Sequence, residues 1–212
     1  MTEVAASPEE ERIDDDVLLA VFDGRLAQAK QYHDILAGRA VEWGLIGPRE
    51  SERLWSRHIL NCAAIQALIA SGSTVIDVGS GAGLPGIPLA LARADLKVTL
   101  LDSLLRRVKF LQLAVEELAL QRQVDVIRER AEQLEGRYDV VVARAVAPLE
   151  RLVRWCAPLT KGSILALKGD QAERELEEAR PVLRRIGMSG IIERVSTVPG
   201  CPDAMVVVIS KL

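Results

Sequence analysis

The chain has 212 residues, of which 49% are hydrophobic, and this is enough for one α/β domain with an extension. The formal net charge is −3 and only 3% of the residues are aromatic, so general polyanion binding and base stacking on aromatic platforms are both disfavoured. The three scattered cysteines (Cys62, Cys156 and Cys201) lack metal-ligand spacing. They indicate a reducing cytosol, with neither a disulfide framework nor a metal site.

The N-terminal third of the chain is predicted to have two parts. Residues 1–12 are small, polar and acidic, and we expect them to be disordered. Residues 13–70 carry apolar side chains at helical spacing, interrupted by glycines, which predicts an extension of several short helices. The acidic start is unlike a signal peptide, and no apolar run reaches the ~18 residues of a membrane span. We therefore expect a cytoplasmic protein that does not contact a membrane.

A glycine-rich segment at 75–86, VIDVGSGAGLPG, is the most informative motif. Its apolar start has the composition of a buried parallel strand, and prolines mark the beginning of a helix after the glycines. A strand, a glycine loop and a helix in this order present free backbone N–H groups to a ligand. The segment therefore predicts a cofactor site.

Two cofactor classes compete for this loop. Residues 81–86 match the dinucleotide pattern G-x-G-x-x-G, whereas the wider string from Asp77 matches the D-x-G-x-G-x-G loop that resembles S-adenosylmethionine-dependent methyltransferases. A carboxylate at Asp77 would repel a pyrophosphate but attract an ammonium group. This favours the second class, with Asp77, Gly79, Ser80 and Gly81 as candidate cofactor-binding residues.

Later strand ends carry further candidates. Asp102 ends the second predicted strand, where an acid can accept both hydroxyls of a ribose in either fold or cap the next helix. Ala131 and Glu132 follow the third strand, where they suit contact with an adenine ring or simply begin a charged helix. Arg144 ends the fourth strand and is placed to bind a carboxylate or a phosphate, which we favour over a surface salt bridge.

Residues 71–212 are predicted to form the main domain, in which strands and helices alternate as in a mostly parallel sheet. The predicted strands are 74–79, 97–102, 124–128, 138–144, 163–168, 191–198 and 204–210, and the predicted helices are 86–94, 104–120, 148–158 and 170–187. The turn between the last two strands is too short for a parallel crossover, so the last strand should be antiparallel. This predicts an α/β fold of the class I S-adenosylmethionine-dependent methyltransferase type, with a Rossmann-like seven-stranded sheet and an N-terminal helical extension that together form one compact unit.

Basic residues are concentrated in two predicted helices and at one strand end of an otherwise acidic chain. Each group alone is consistent with a solvated face, but together they suggest a phosphate track. The candidate RNA-binding residues are Arg57, His58, Arg106, Arg107, Lys109 and Lys168.

The segment after the fourth strand limits the target atom. It lacks the Asn/Asp-Pro-Pro-aromatic motif of amino-group methyltransferases, and it lacks a cysteine to attack a pyrimidine ring. A nucleophilic atom with a free lone pair, such as guanine N7, needs neither device. Catalysis would then depend on proximity and desolvation, and we predict no general base.

On these motifs the chain resembles the small-subunit ribosomal RNA guanine-N7 methyltransferases, also called the glucose-inhibited division protein B family, over roughly residues 25–212. The similarity includes RHIL at 57–60, GLPGIP at 83–88, RVKFL at 107–111 and LKG at 167–169. It implies S-adenosylmethionine as cofactor, N7 of a guanine in the 530 loop of 16S rRNA as target, and the 30S subunit or its precursor as partner. We expect the protein to be a monomer. It also implies cofactor contacts from Gly79, Leu84, Ala131, Glu132 and Arg144.

The chain departs from the family where Asn61-Cys62 replaces the usual Asp-Ser, which keeps hydrogen bonding but loses the charge and argues against a catalytic acid there. Two alternatives stay open. One is an NAD(P)-binding oxidoreductase, and the other is a methyltransferase fold that has lost activity and binds RNA. The intact glycine loop, Asp102 and Arg144 argue against the second alternative.

Overall fold

The computed structural model describes residues 11, 13–199, 201 and 203–212. The segment 1–12, expected to be disordered, lies outside these residues except for Glu11. No helix in the described ranges is long and apolar enough to cross a membrane.

The N-terminal extension is helical. It contains α1 (Asp15–Phe22), α2 (Leu26–Ile35) and α3 (Asn61–Ala63), with α3 lying between a π-helical segment, Leu54–Leu60, and a 3₁₀ segment, Ala64–Leu68. Helix α1 begins after Asp14, whose side chain accepts a hydrogen bond from the Asp16 N–H at 3.0 Å. The buried side chains of α1 (Leu18, Val21 and Phe22) belong to the same hydrophobic cluster as residues of the sheet.

A seven-stranded sheet forms the centre of the main domain. Its strands are β1 (Thr74–Val78), β2 (Lys97–Asp102), β3 (Val124–Arg128), β4 (Tyr138–Arg144), β5 (Thr160–Lys168), β6 (Met188–Val195) and β7 (Ala204–Lys211). They lie in the order β3-β2-β1-β4-β5-β7-β6, and β7 is antiparallel to both of its neighbours while the other pairs are parallel. The predicted fold class and the antiparallel last strand are confirmed.

Helices cover both faces of this sheet: α4 (Gly86–Ala92), α5 (Leu105–Glu117), α6 (Leu149–Cys156) and α7 (Ala172–Arg185). Successive strand residues face opposite sides, so Val75 packs with α4, α5 and the extension while Ile76 packs with α6 and α7. Burial on both faces explains why the central strands are continuous apolar runs in the sequence.

The strand bounds differ most from the predictions at β5 and β6. Strand β5 begins at Thr160 rather than at the predicted residue 163. Strand β6 covers Met188–Val195, three residues earlier than the predicted 191–198. Gly187, at φ +69°, follows the end of α7, and the chain then pairs at once with β7, beginning with Met188 opposite Lys211. The earlier start is therefore set by the helix end, which the apolar pattern of the strand does not reveal.

The topology brings three strand ends together. Strand β1 lies between β2 and β4, and the order of the chain reverses at this point. In open α/β sheets, ligands bind in the crevice at the carboxyl ends of the strands beside such a reversal. The carboxyl ends of β1, β2 and β4 lie on this edge with the glycine loop, Asp102 and Arg144.

Candidate active site

The glycine loop between β1 and α4 has backbone angles that residues other than glycine rarely adopt. Gly79, Gly81 and Gly83 have φ angles of +73°, +59° and +96°. A Cβ atom at Gly79 would lie 2.8 Å from Val146 Cγ2, and one at Gly83 would lie 2.4 Å from Ile87 Cδ1. The loop therefore follows its neighbours too closely to carry side chains at these positions.

Support for the loop comes from within it and from the extension. Ser80, predicted as a cofactor contact, is buried, and its hydroxyl donates to the Asp77 carbonyl oxygen at 2.9 Å. Tyr32 of α2 is fully buried, and its hydroxyl donates to the Ala82 carbonyl oxygen at 2.8 Å. Sequence reasoning missed Tyr32, because nothing in the helical pattern of α2 shows that this ring reaches the loop.

Asp77 is a buried carboxyl group with an unused oxygen. Its Oδ2 accepts from the Gly86 N–H at 3.0 Å, whereas Oδ1 has no hydrogen-bond partner among the described residues. Burial raises the pKa of Asp77 to about 7, helped by the Asp102 charge, although the Gly86 N–H, the nearby Ser80 hydroxyl and the Arg144 charge oppose the shift. An unsatisfied buried carboxyl oxygen is costly unless a donor binds it. Its chemistry fits the ammonium group that the sequence predicts as its partner.

Gly86 allows the close approach between α4 and Asp77. A Cβ atom there would lie 2.3 Å from Leu100 Cδ2 and 2.9 Å from Asp77 Oδ2. We expect Gly86→Ala to lower the free energy of unfolding by about 1–3 kcal/mol, the cost of overpacking a core, as measured by urea denaturation. The control is Gly38→Ala, because a Cβ at Gly38 meets nothing within 4 Å. Wild-type stability in Gly86→Ala would contradict the packing argument.

Asp102 joins the glycine loop to α5. Its Oδ1 accepts from the Leu104 N–H at 3.0 Å, and its Oδ2 accepts from the Gly81 N–H at 3.1 Å and from Arg107 Nη1 at 3.4 Å. The prediction that Asp102 is the N-cap is wrong, because Leu104 occupies the N-cap position without a side-chain cap, although Asp102 does bond to the Leu104 N–H just before α5. The same side chain also lines a cavity, so the ligand-binding interpretation stays a prediction.

This cavity, of about 240 Å³, lies at the ends of β1, β2 and β3, and we call it the β2–β3 cavity. Four of the predicted cofactor-binding residues line it: Gly79, Asp102, Ala131 and Glu132. Arg107 and Trp155 line it as well, although the sequence suggested neither of them for this cavity. The remaining predicted cofactor-binding residues, including Leu84, are not among its lining residues.

A larger groove, of about 940 Å³, lies at the ends of β4 and β5 and extends to α7 and the extension; we call it the β4–β5 groove. Its arginines come from distant parts of the chain: Arg53, Arg57, Arg144, Arg174 and Arg194. The side chain of Val146 lines both this groove and the β2–β3 cavity. The two sites therefore adjoin, as a cofactor site and a substrate site must for direct group transfer.

Arg144 lines the β4–β5 groove rather than the β2–β3 cavity. Its Nη1 donates to Cys62 Sγ at 3.1 Å and its Nη2 donates to His58 Nδ1. Its charge also lowers the pKa of Asp77, which places the guanidinium in electrostatic range of the loop. Arg144 is therefore held between the glycine loop and the groove.

Two predicted RNA contacts have nitrogen atoms that already bond to other groups within the protein. His58 is 6% exposed, and both of its ring nitrogens have partners, Arg144 and Glu50. Lys168 Nζ donates to the Ala147 carbonyl oxygen and to Glu175 Oε2, each at 2.8 Å. Lys168 lines the wall of the β4–β5 groove, and His58 bonds to Arg144, which lines it too.

Three other predicted RNA contacts lie on α5. Arg107 points to Asp102 in the β2–β3 cavity. Arg106 and Lys109 are exposed and line a separate surface pocket with Trp43 and Leu105.

In the described part of the chain, no group of three or more His, Cys, Asp or Glu side chains could hold a metal ion.

Solved structures resemble the fold at low sequence identity. The magnesium protoporphyrin IX methyltransferase of Synechocystis, solved with bound S-adenosylmethionine, superposes with a TM-score of 0.59 at 18% identity, covering 87% of this chain and 97% of its own. A ribosomal protein L11 methylase from Lactobacillus delbrueckii gives a TM-score of 0.54 at 18% identity, covering 78% and 80%. At this identity the likeness concerns the fold alone.

Sequence relatives are much closer. The family profile described as rRNA small subunit methyltransferase G matches residues 25–193. The ribosomal RNA small subunit methyltransferase G of Streptomyces avermitilis is 52% identical over 192 residues, covering 84% of this chain and 80% of the relative. That of Mycolicibacterium gilvum is 49% identical over 201 residues, covering 91% and 88%. With its sheet order and glycine loop, the chain belongs to the rRNA small subunit methyltransferase G family.

Proposed function

We propose that this protein transfers a methyl group from S-adenosylmethionine to N7 of a guanine in the 530 loop of 16S rRNA. The observation that carries the proposal is the identity of about half over most of the chain to relatives named for methylating small-subunit rRNA. The adjoining cavity and groove give this reaction a place for each reactant. We further propose that the protein acts as a monomer in the cytoplasm, on the 30S subunit or its precursor.

The residues of the β2–β3 cavity suit an adenosine group, and S-adenosylmethionine, when bound, would supply an electrophilic methyl group. Asp102 has a carboxylate in position for ribose hydroxyls, and Ala131 and Glu132 offer an apolar contact and an acceptor to adenine. The free Oδ1 of Asp77 fits the ammonium group of the methionyl tail. Arg144 supplies a cation for the carboxylate of the same tail.

The β4–β5 groove suits the target nucleotide. Arg53, Arg57 and Arg194 are exposed on its walls and would bind phosphates, while Val146 marks the passage to the cofactor. Guanine N7 already carries a lone pair, so the chain needs to orient the base and exclude water rather than remove a proton. Arg106 and Lys109 would extend the phosphate contacts along α5.

The decisive experiment uses labelled S-adenosylmethionine and 30S subunits that lack the modification, with the label then mapped on 16S rRNA. We expect one labelled guanine in the 530 loop, methylated at N7. Label at another nucleotide would contradict the target. Absence of label, with binding of S-adenosylhomocysteine confirmed in parallel, would contradict the substrate while leaving the cofactor in place.

Asp102 should affect cofactor binding as well as the start of α5. We expect Asp102→Ala to weaken S-adenosylhomocysteine binding by about 1–3 kcal/mol, the scale of hydrogen bonds to a charged group, as measured by calorimetric titration. Asp125→Ala, an exposed position on neighbouring β3, is the control. A lower melting temperature with an unchanged dissociation constant would show that Asp102 only stabilises the turn before α5.

A further inference from the structure

The Arg144 guanidinium is fixed by the extension before any ligand binds. An arginine has five N–H donors and no acceptor. One of these donors binds Cys62 Sγ at 3.1 Å and another binds His58 Nδ1. Burial raises the pKa of the Cys62 thiol, so this sulfur is a neutral and weak partner. His58 is the stronger anchor of Arg144.

The partners of His58 determine its tautomer. Because arginine can only donate, the Nδ1 atom that faces Arg144 must carry a lone pair. The proton therefore resides on Nε2, which lies 2.9 Å from Glu50 Oε2 and donates to it. Burial and the Arg144 charge lower the pKa of His58 to about 4, against the effect of Glu50, so the ring is neutral at pH 7.

Glu50 completes a chain of three side chains. Its Oε2 accepts from His58 Nε2 and forms an ion pair with Arg57 Nε at 3.0 Å, and Arg57 lines the β4–β5 groove. Arg144 donates a hydrogen bond to His58, and His58 donates one to Glu50. The His58 and Glu50 atoms in these two bonds contact neither the β2–β3 cavity residues nor the glycine loop in the description above.

We propose that Glu50 and His58 are positioning residues that hold the Arg144 guanidinium ready for the carboxylate of the cofactor's methionyl tail. This inference rests on the proposed function, because it assumes that Arg144 binds that carboxylate. A free arginine side chain has many rotamers, and binding must select one of them. The two bonds of His58 make this selection in advance, so ligand affinity should fall when they are lost.

The affinity test measures the dissociation constant of S-adenosylhomocysteine by calorimetry. We expect His58→Leu to raise this constant about tenfold, the scale of one hydrogen bond to a charged group. His58→Gln should stay within about threefold of wild type, because its amide can accept from Arg144 and donate to Glu50. Wild-type affinity in His58→Leu would overturn the proposal.

The matched control is the other histidine. His33 is also buried, but its ring stacks on Trp55 at 5.0 Å and it bonds to Asp34. His33→Gln should leave the dissociation constant unchanged, and an equal loss in this variant would attribute the effect to general destabilisation. Arg144→Leu separates the two proposals. Unchanged affinity in Arg144→Leu would show that Arg144 does not bind the cofactor. Lost affinity in Arg144→Leu together with normal affinity in His58→Leu would contradict only the positioning role of His58 and Glu50.

A second readout does not depend on the ligand. The chain has only two histidines, so the His33→Gln variant contains a single imidazole. Its ¹⁵N spectrum at pH 7 should show a protonated Nε2 and an unprotonated Nδ1. A doubly protonated ring, or a proton on Nδ1, would overturn the proposal, because Arg144 could not then donate a hydrogen bond to Nδ1.

Discussion

Affinity for S-adenosylhomocysteine is expected to rise about tenfold per pH unit from about pH 5 to pH 7 and to level off above. The pKa of Asp77 is raised to about 7, chiefly by burial, so the carboxyl group is mostly protonated below this pH in the free protein. Binding an ammonium group requires the ionised form. The ligand must therefore displace a proton at low pH, and this displacement weakens the apparent affinity.

Calorimetry in buffers of different ionisation enthalpy tests this directly. Near pH 6 the wild type should release close to one proton on binding, and above about pH 8 it should release none. Asp77→Asn keeps the size of the side chain but cannot ionise, so its affinity should be weak and independent of pH over this range. The pKa of His58, at about 4, lies below the window. A flat pH profile in the wild type would show that Asp77 does not meet the ammonium group.

The same pKa shift acts in the opposite direction on the free protein. Between the ordinary pKa of 3.8 and about 7, the folded state holds a proton on Asp77 that the unfolded state has lost. The contribution of Asp77 to stability therefore falls as the pH rises through this interval. The difference in unfolding free energy between wild type and Asp77→Asn should show this slope, and a difference constant with pH would contradict it.

The fold was predictable because its signals are local. Each central strand is an apolar run that stops at a charged or glycine residue, and β1 illustrates this with Asp77 and Gly79. Parallel strands place such ends on one edge of the sheet, so the position of Asp102 and Arg144 at this edge could be predicted from the sequence alone. The antiparallel β7 followed from the length of a single turn.

The remaining parts of the site depend on long-range packing. Arg174 and Arg194 reach the β4–β5 groove only because the sheet order places α7 and β6 beside it. Neither residue belongs to a basic segment that would attract notice in the sequence. For His58 and Lys168 the sequence shows a cationic or titratable side chain near the site, but it shows neither the burial of these side chains nor the hydrogen-bond partners of their nitrogen atoms.

Lys168→Met is expected to lower the free energy of unfolding by about 3 kcal/mol, the lower end for breaking a buried ion pair. Lys168 and Glu175 pair at 2.8 Å with side chains only 9% and 18% exposed. The same Glu175 Oε2 accepts from the Leu149 N–H, and Lys168 Nζ donates to the Ala147 carbonyl oxygen, each at 2.8 Å. Loss of the lysine leaves a half-satisfied carboxylate and a free carbonyl beside the loop that carries Val146.

A double-mutant cycle with Glu175→Gln measures the pair itself. Glutamine can still accept from Leu149, so the double variant should be at least about 1 kcal/mol more stable than the sum of the single changes implies. Lys161→Met is the matched control on the same strand, because Lys161 and Asp139 form an exposed pair at 3.8 Å. It should cost under about 1 kcal/mol. Equal losses in Lys161→Met and Lys168→Met, by urea unfolding, would contradict the buried pair.

Measurements of RNA affinity distinguish the structural role of Lys168 in its buried ion pair from the phosphate contact that the sequence suggests for it. A lysine that binds a phosphate would leave stability unchanged on mutation and would lower the slope of log affinity against log salt by about 1. The geometry predicts the reverse, with lower stability and an unchanged salt slope, because the ammonium already has two internal acceptors. Arg53→Gln should give the phosphate-contact result, since Arg53 is exposed on the groove wall. The two variants together would show which cations of the β4–β5 groove bind RNA and which hold its wall in place.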